Sequence, residues 1–181
     1  MLSKKTTLYL SLFCTTQIYS FSANATSITQ DLGTLKADNS GSSIAYAVSA
    51  DGRVVVGYAE TDLGYDQAFR HNEGDIKMTN LGTLKADNSG SSYASAVSAD
   101  GRVVVGYAET DLGYDQAFRH NEGDIKMTNL GTLKADNSGS SAAYAVSADG
   151  RVVVGLAETD LGDNQAFRHN EGDIKMTNLG T

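Results

Sequence analysis

A chain of 181 residues with 22 acidic against 14 basic residues and a net charge of −8 is a poor partner for nucleic acid or an anionic membrane surface, both of which attract positive charge. Cys14 is its single cysteine, so no intramolecular disulfide can staple the fold and stability must come from packing.

Residues 1–25 have the layout of a secretory signal peptide. Lys4 and Lys5 form a positive start, Leu8 to Phe21 an apolar stretch, and Ala23-Asn24-Ala25 an A-x-A cleavage site, which makes Thr26 the expected mature N-terminus. Thr15, Thr16, Gln17 and Ser20 interrupt the stretch, which therefore falls short of the roughly 18 consecutive apolar residues of a membrane span. Removing the leader also removes Cys14 and leaves 12 basic against 22 acidic residues, a net charge of −10.

Beyond the leader the chain repeats with a period of 49 residues. Leu32, Leu81, Leu130 and Leu179 each open the phrase Leu-Gly-Thr, giving units 32–80, 81–129 and 130–178 and a truncated fourth at 179–181. The first two differ only at Ile44/Tyr93 and Tyr46/Ser95. Such periodicity marks a repeat architecture, in which one unit cannot bury its apolar face alone and must stack on its neighbours. A single unit is therefore expected not to fold.

Within a unit the pattern is that of strands. Ala45 to Ser49 reads as a short first strand ending at Asp51-Gly52, a strong hairpin signal. Val54-Val55-Val56 is apolar on both strand faces, which predicts a sheet covered on both sides. Thr61 to Gly64 forms a turn, and Gln67 to His71 a third strand with Phe69 as core anchor, repeated at Phe118 and Phe167. After the turn at Asn72 to Asp75, a fourth strand is expected from Ile76 through Met78 towards Leu81 and Leu84, with residues 36–43 as the most flexible loop. The expected fold is all-β: tandem repeats of about four short antiparallel strands, as propeller-like blades or an open stacked β array. Three units fall short of the roughly four to eight blades that close a propeller. A fragment of a longer array is the expectation, with a short self-assembling protein as the alternative.

The phrases DLGTL (31–35), YAVSADGRVVVGYAE (46–60) and QAFRHNEGDIKMTNLGTL (67–84) resemble the HAF family of probable extracellular repeats, found in secreted bacterial proteins and autotransporter passengers. Gln67, Gln116 and Gln165 stand where that family carries its name-giving histidine. The resemblance implies a secreted or surface-exposed repeat protein, part of an autotransporter passenger at the outer membrane or outside the cell, acting in adhesion or surface interaction.

Every chemically capable side chain of the array occurs in triplicate, whereas catalysis needs an asymmetric constellation, and no nucleophile, metalloprotease or nucleotide-binding motif is present. No catalytic, cofactor-binding or metal residue is assigned, and the chain reads as a non-enzyme. His71, His120 and His169 are expected to be solvated at strand ends. Calcium is the one cation the turns would suit, through Asp62, Asp66, Asp111, Asp115, Asp160, Asp163 and Asn164, although neither the EF-hand nor the nonapeptide calcium spacing occurs.

Five positions vary among the units: Ile44/Tyr93/Ala142, Tyr46/Ser95/Tyr144, Tyr58/Tyr107/Leu156, Tyr65/Tyr114/Asp163 and Asp66/Asp115/Asn164. Tyrosine supplies rigid amphipathic contact area, so Tyr58, Tyr65, Tyr107 and Tyr114 are the candidate contact surface for a surface or host ligand, with self-association as a further possibility. Drift at tolerant surface positions is the plainer account of the same variation. An exported spacer is the alternative function.

Overall fold

The computed structural model describes residues 30–180, so the leader at 1–25 lies outside the described residues. The chain divides into Met1–Gln30 and Asp31–Thr181, and the second of these carries the array. Each repeat folds into one four-stranded antiparallel sheet. The first holds β1 (Ser43–Val48), β2 (Val54–Glu60), β3 (Asp66–Asn72) and β4 (Thr79–Gly82), hydrogen-bonded in that order. The second holds β5 (Ser92–Val97), β6 (Val103–Glu109), β7 (Asp115–Asn121) and β8 (Thr128–Gly131). The third holds β9 (Ser141–Val146), β10 (Val152–Glu158), β11 (Asn164–Asn170) and β12 (Thr177–Asn178). No helix occurs among the described residues.

The first hairpin of each sheet is set by the Ser-Ala-Asp-Gly-Arg phrase. Ser49 Oγ donates to the Asp51 carboxylate at 2.6 Å, which also accepts the Arg53 N–H at 3.1 Å, while the Val54 N–H donates to Ser49 Oγ at 3.0 Å. Chain reversal is thus fixed by side chains only two to five residues apart, as in other Asx-type turns.

Alternation along β2 then assigns the valines to opposite faces of the sheet. Val54 and Val56 point towards the second sheet and share its core with Ala94, Val104 and Phe118. Val103, Val105 and Ala117 of the second sheet meet Ala143, Val153 and Phe167 of the third in the same way. In the middle sheet Val103, Val104 and Val105 are all buried, which is the two-sided cover that the valine run predicts. Phe69, Phe118 and Phe167 are each wholly buried. Gly106 makes room for Phe118: a Cβ there would lie 2.9 Å from the ring and collide with the Tyr93 carbonyl.

Polar contacts fix the stacking. Ser92 Oγ accepts the Ala68 N–H at 2.8 Å and donates to the Gly82 carbonyl, so a residue opening the second sheet closes the far side of the first. Ser141 does the same for Ala117, at 2.8 Å, and for Gly131. At the hairpin end the Ala50 N–H donates to the Ala99 carbonyl at 3.0 Å, and the Ala99 N–H to the Ala148 carbonyl at 3.1 Å. Buried Arg70 and Arg119 reach Glu122 and Glu171 of the next sheet at 3.2 and 3.5 Å.

One expectation needs correction. The fourth strand is shorter than the apolar pattern implies, beginning at Thr79 and ending at Gly82. The Asp75 carboxylate accepts the Asn72 N–H at 3.0 Å and the Asn72 amide at 2.9 Å, holding a turn that leaves Ile76 96% exposed. The loop expected to be most flexible, residues 36–43, is exposed beyond Lys36, whereas its counterpart at 85–92 is fastened to the preceding sheet. The Asn88 side chain accepts the Thr83 N–H at 2.8 Å, and Gln67 Nε2 donates to the Asn88 and Gly90 carbonyls at 2.9 and 3.0 Å. Gln67 Oε1 in turn accepts Asn80 Nδ2 at 2.7 Å.

Phe118→Ala should therefore lower the unfolding free energy by about 3–5 kcal/mol. Ile125→Ala, at the exposed counterpart of Ile76, should change it by under about 0.5 kcal/mol. Urea denaturation of the two variants measures the difference.

Candidate functional site

Antiparallel pairing decides where the five variable positions fall. Ser43 pairs with Ala59 and Glu60 with Asp66, so the start of β1, the end of β2 and the start of β3 share one end of the sheet. Ile44 pairs with Tyr58, Tyr93 with Tyr107 and Ala142 with Leu156. Tyr65 lies on the adjoining turn, where its carbonyl accepts the Thr61 N–H at 2.9 Å and the Thr61 hydroxyl at 3.0 Å. Tyr46, Ser95 and Tyr144 each sit where the register shifts between the first two strands of a sheet. Such a bulge turns a side chain out of the regular alternation, and Tyr46 and Tyr144 are exposed.

The result is a continuous row of aromatic rings across two sheets. Tyr46 and Tyr58 lie 5.7 Å apart between ring centroids, Tyr58 meets Tyr93 edge-on at 4.9 Å, and Tyr93 stacks on Tyr107 at 5.1 Å. These spacings fall within the favourable range for aromatic pairs. Tyr58 and Tyr107, two of the four candidate contact residues, are half-buried members of this row, while Tyr65 and Tyr114 stand exposed on the neighbouring turns. Tyr46 and Tyr93 join the row although the sequence marks them only as variable positions. Their inclusion follows from the bulge and from contact between sheets, neither of which a single repeat displays.

Burial shapes the electrostatics of this end. It raises the Tyr93 phenol above the ordinary tyrosine range, with the carboxylates of Asp66 and Asp115 adding to the effect against a hydrogen bond with Ser91. Burial likewise raises Tyr107. Asp115 is raised by its own desolvation and by Glu109. The surface thus combines neutral phenols with the Asp115 carboxylate, which desolvation holds above its ordinary range. In the third unit, Leu156, Asp163 and Asn164 replace two tyrosines and an aspartate.

The histidines require a correction. His71, His120 and His169 are buried, not solvated at strand ends, because β3, β7 and β11 extend to Asn72, Asn121 and Asn170 and place them inside the strand. Desolvation lowers His120 and His169 below the ordinary histidine range, opposed by Asp124 and Asp173 and assisted by Arg70 and Arg119 of the preceding sheets. Among the described residues no three His, Cys, Asp or Glu side chains converge to hold a metal ion. Asp62, Asp111 and Asp160 instead accept the N–H groups of Ala37, Ala86 and Ala135 at 3.1, 3.2 and 3.0 Å, tying the inter-repeat loop to the β2–β3 turn and its counterparts.

Among solved structures the array is similar to TolB from Acinetobacter baumannii, at 15% identity and a TM-score of 0.52, over 76% of this chain and 32% of that one. It is also similar to a putative TolB from Agrobacterium tumefaciens, at 14% identity and a TM-score of 0.55, over 77% of this chain and 49% of that one. The matched part thus spans less than half of either structure. No protein-family profile and no curated protein sequence matches the chain. The likeness carries the fold alone: an all-β, β-propeller-like array of three four-stranded antiparallel sheets, open and not closed into a ring.

Two measurements follow from the buried histidines and engaged aspartates. A histidine whose folded pKa is depressed binds fewer protons folded than unfolded, so its stabilising contribution is present above the unfolded value, about 6.5, and is lost as pH falls through the folded value. The melting temperature should therefore decline as pH falls from about 7 to 5, and the decline should shrink in His120→Gln/His169→Gln. Millimolar calcium should leave the melting temperature unchanged, since a ligand that does not bind the folded state selectively cannot stabilise it.

Proposed function

We propose that this chain is an exported, surface-exposed repeat protein without catalytic activity, part of an autotransporter passenger, and that it acts in adhesion through the tyrosine-bearing end of its array. The observation that carries the reading is spatial. All five positions that vary between repeats lie at or beside one end of the sheets, where Tyr46, Tyr58, Tyr93 and Tyr107 form a row. The hairpins at the opposite end are identical in every repeat.

Variation by drift alone would also fall on exposed positions at the other end, such as Ile76 and Ile125, which are 96% and 95% exposed and unchanged. Tyrosine gives contact area with few rotatable bonds, and the neighbouring carboxylates add polar recognition. Modest contacts repeated along an array gain from avidity. Export is supported by the layout of residues 1–25, and the resemblance to extracellular repeats points the same way.

The test uses substitutions that the fold already accommodates in its third unit: Tyr58→Leu, Tyr65→Asp, Tyr107→Leu and Tyr114→Asp. Bacteria displaying the chain are applied to epithelial-cell monolayers and to immobilised matrix proteins. The fourfold variant should adhere at least about tenfold less, a loss of roughly 1.4 kcal/mol, while keeping the circular dichroism and the single cooperative unfolding transition of the parent. Wild-type adhesion that is absent, or that survives the four changes and follows only the number of repeats, would identify the array as a spacer.

A further inference from the structure

The tyrosine-bearing end of the sheets is apolar at its surface. The middle sheet shares a core with a neighbour on each face, so what it exposes is what any internal sheet of such an array presents. It leaves Leu112 73% and Tyr114 40% exposed on the turn between β6 and β7. Leu63, Tyr65 and Leu161 stand open on the equivalent turns.

Charge is divided unequally between the two ends. In the unit 81–129 the hairpin end holds Asp100, Glu122 and Asp124 against Arg102, Arg119 and Lys126, and is balanced. The tyrosine-bearing end holds Asp87, Glu109, Asp111 and Asp115 against Lys85 alone. Lys85 is already committed, its Nζ lying 2.6 Å from Glu109. The same division recurs in the units 32–80 and 130–178, so the net negative charge of the repeats is gathered where the apolar side chains are exposed.

Register brings ring and carboxylate together. Tyr107 pairs with Ala117, and Glu109 with Asp115. Residues directly opposite share a face, as do residues two apart along a strand, so Asp115 adjoins Tyr107. Asp66 adjoins Tyr58 through the same pairing. Each of these aspartates opposes a glutamate, Glu109 or Glu60, and like charges directly opposite weaken a sheet. Lys85 and Lys36 answer the glutamates, but among the described residues no basic side chain answers Asp66 or Asp115. Partial desolvation, with Glu109 beside it, holds Asp115 above the ordinary carboxylate range. Ring and carboxylate also change together: both are present in the first two units, and Leu156 and Asn164 replace both in the third.

We infer that this end docks a basic segment of a partner protein, rich in arginine or lysine, whose cationic heads meet Asp66 and Asp115 beside the tyrosine rings. This rests on the reading of the tyrosine-bearing end as the adhesive surface and names the class of partner it takes. A guanidinium or ammonium group is drawn both to a carboxylate and to the face of an aromatic ring, and the aliphatic stem behind it covers exposed apolar surface such as Leu112 and Tyr114. A neutral glycan stacks on the rings but leaves the charge of the carboxylates uncompensated, and an acidic partner is repelled. The third unit, lacking both ring and carboxylate, makes no contact of this kind.

Fluorescence anisotropy on the full chain recovered after export reads the outcome with three probes: a synthetic arginine-rich peptide, the same peptide with citrulline in place of every arginine, and a neutral oligosaccharide. The arginine peptide should bind at least about tenfold more tightly than the citrulline peptide and should weaken as salt rises. Asp66→Asn/Asp115→Asn, the residue the third unit already carries at Asn164, should lower that affinity at least about tenfold without altering the circular dichroism. Glu73→Gln/Glu171→Gln removes as much charge from the hairpin end and should change it less than about twofold, since screening confines the effect of exposed charges to their surroundings. Equal affinity for the two peptides, a preference for the oligosaccharide, or a loss shared by both double variants would overturn the assignment. Tyrosine-dependent adhesion that survives Asp66→Asn/Asp115→Asn would overturn it too, and would leave the adhesive role standing. Aspartate-dependent peptide binding by a chain that does not adhere would uphold recognition of a basic segment and remove the adhesive role.

Discussion

The array depends on one arrangement: a phenylalanine of each sheet is buried together with apolar residues that precede that sheet in the chain. Phe118 shares its core with Val54, Val56 and Ala68, and Phe167 with Val103, Val105 and Ala117. Phe69 has no preceding sheet among the described residues, and Leu32 and Leu35 of the connecting segment pack there with Met78. Burying one such ring stabilises by about 1.5–3 kcal/mol, a gain that an isolated sheet cannot collect on both faces. Cooperativity therefore belongs to junctions between repeats, as in other quasi-one-dimensional proteins. The serine, backbone and arginine bonds then select one way of stacking among the many that apolar faces alone would permit.

Most of this was legible in the chain because it rests on local rules. Asp51-Gly52 announces its hairpin, the Val54-Val55-Val56 run announces a sheet covered twice, and the recurrence of Phe69 announces the core. What escaped depends on partners distant in sequence. Ile76-Lys77-Met78 has strand alternation, but the Asp75 carboxylate bonds back to Asn72 and postpones pairing until Thr79. Residues 36–43 have a loop composition, yet the equivalent segment of the next unit is fastened by Gln67, 21 to 23 residues away. The histidines follow an arginine and precede an asparagine, a polar context that hides their burial inside the third strand of each sheet. The tyrosine row was half legible, since the variable positions could be read off but their convergence required the register and the bulge.

The two ends of the sheets are under different constraints, which is why variation collects at one of them. The Ser-Ala-Asp-Gly-Arg hairpins are committed to bonding one another across sheets through Ala50, Ala99 and Ala148, and their serine and aspartate side chains already serve the turn. A change there would disturb two sheets at once. At the opposite end the side chains at positions 44, 58 and 65 of the first unit, and their counterparts, meet mainly one another and solvent. Aromatic, aliphatic and acidic residues are all accommodated there without altering the ladder of β2 and β3. Nothing in the structure explains why the exposed Ile76, Ile125 and Ile174 are unchanged.

Near-identity of the units has a consequence for how the array keeps its order. Any sheet's following face fits any other sheet's preceding face, so side-chain chemistry alone does not say which neighbour belongs where. The connecting segment supplies that information. Residues 83–91 carry the chain from β4 to β5, and so short a tether holds the next unit at an effective concentration that a separate molecule reaches only with difficulty. Internal junctions are consequently made within one chain, even though the same contacts could be made between chains. Connectivity thus decides which of several equivalent neighbours a sheet takes, and complementarity decides how tightly it holds that neighbour.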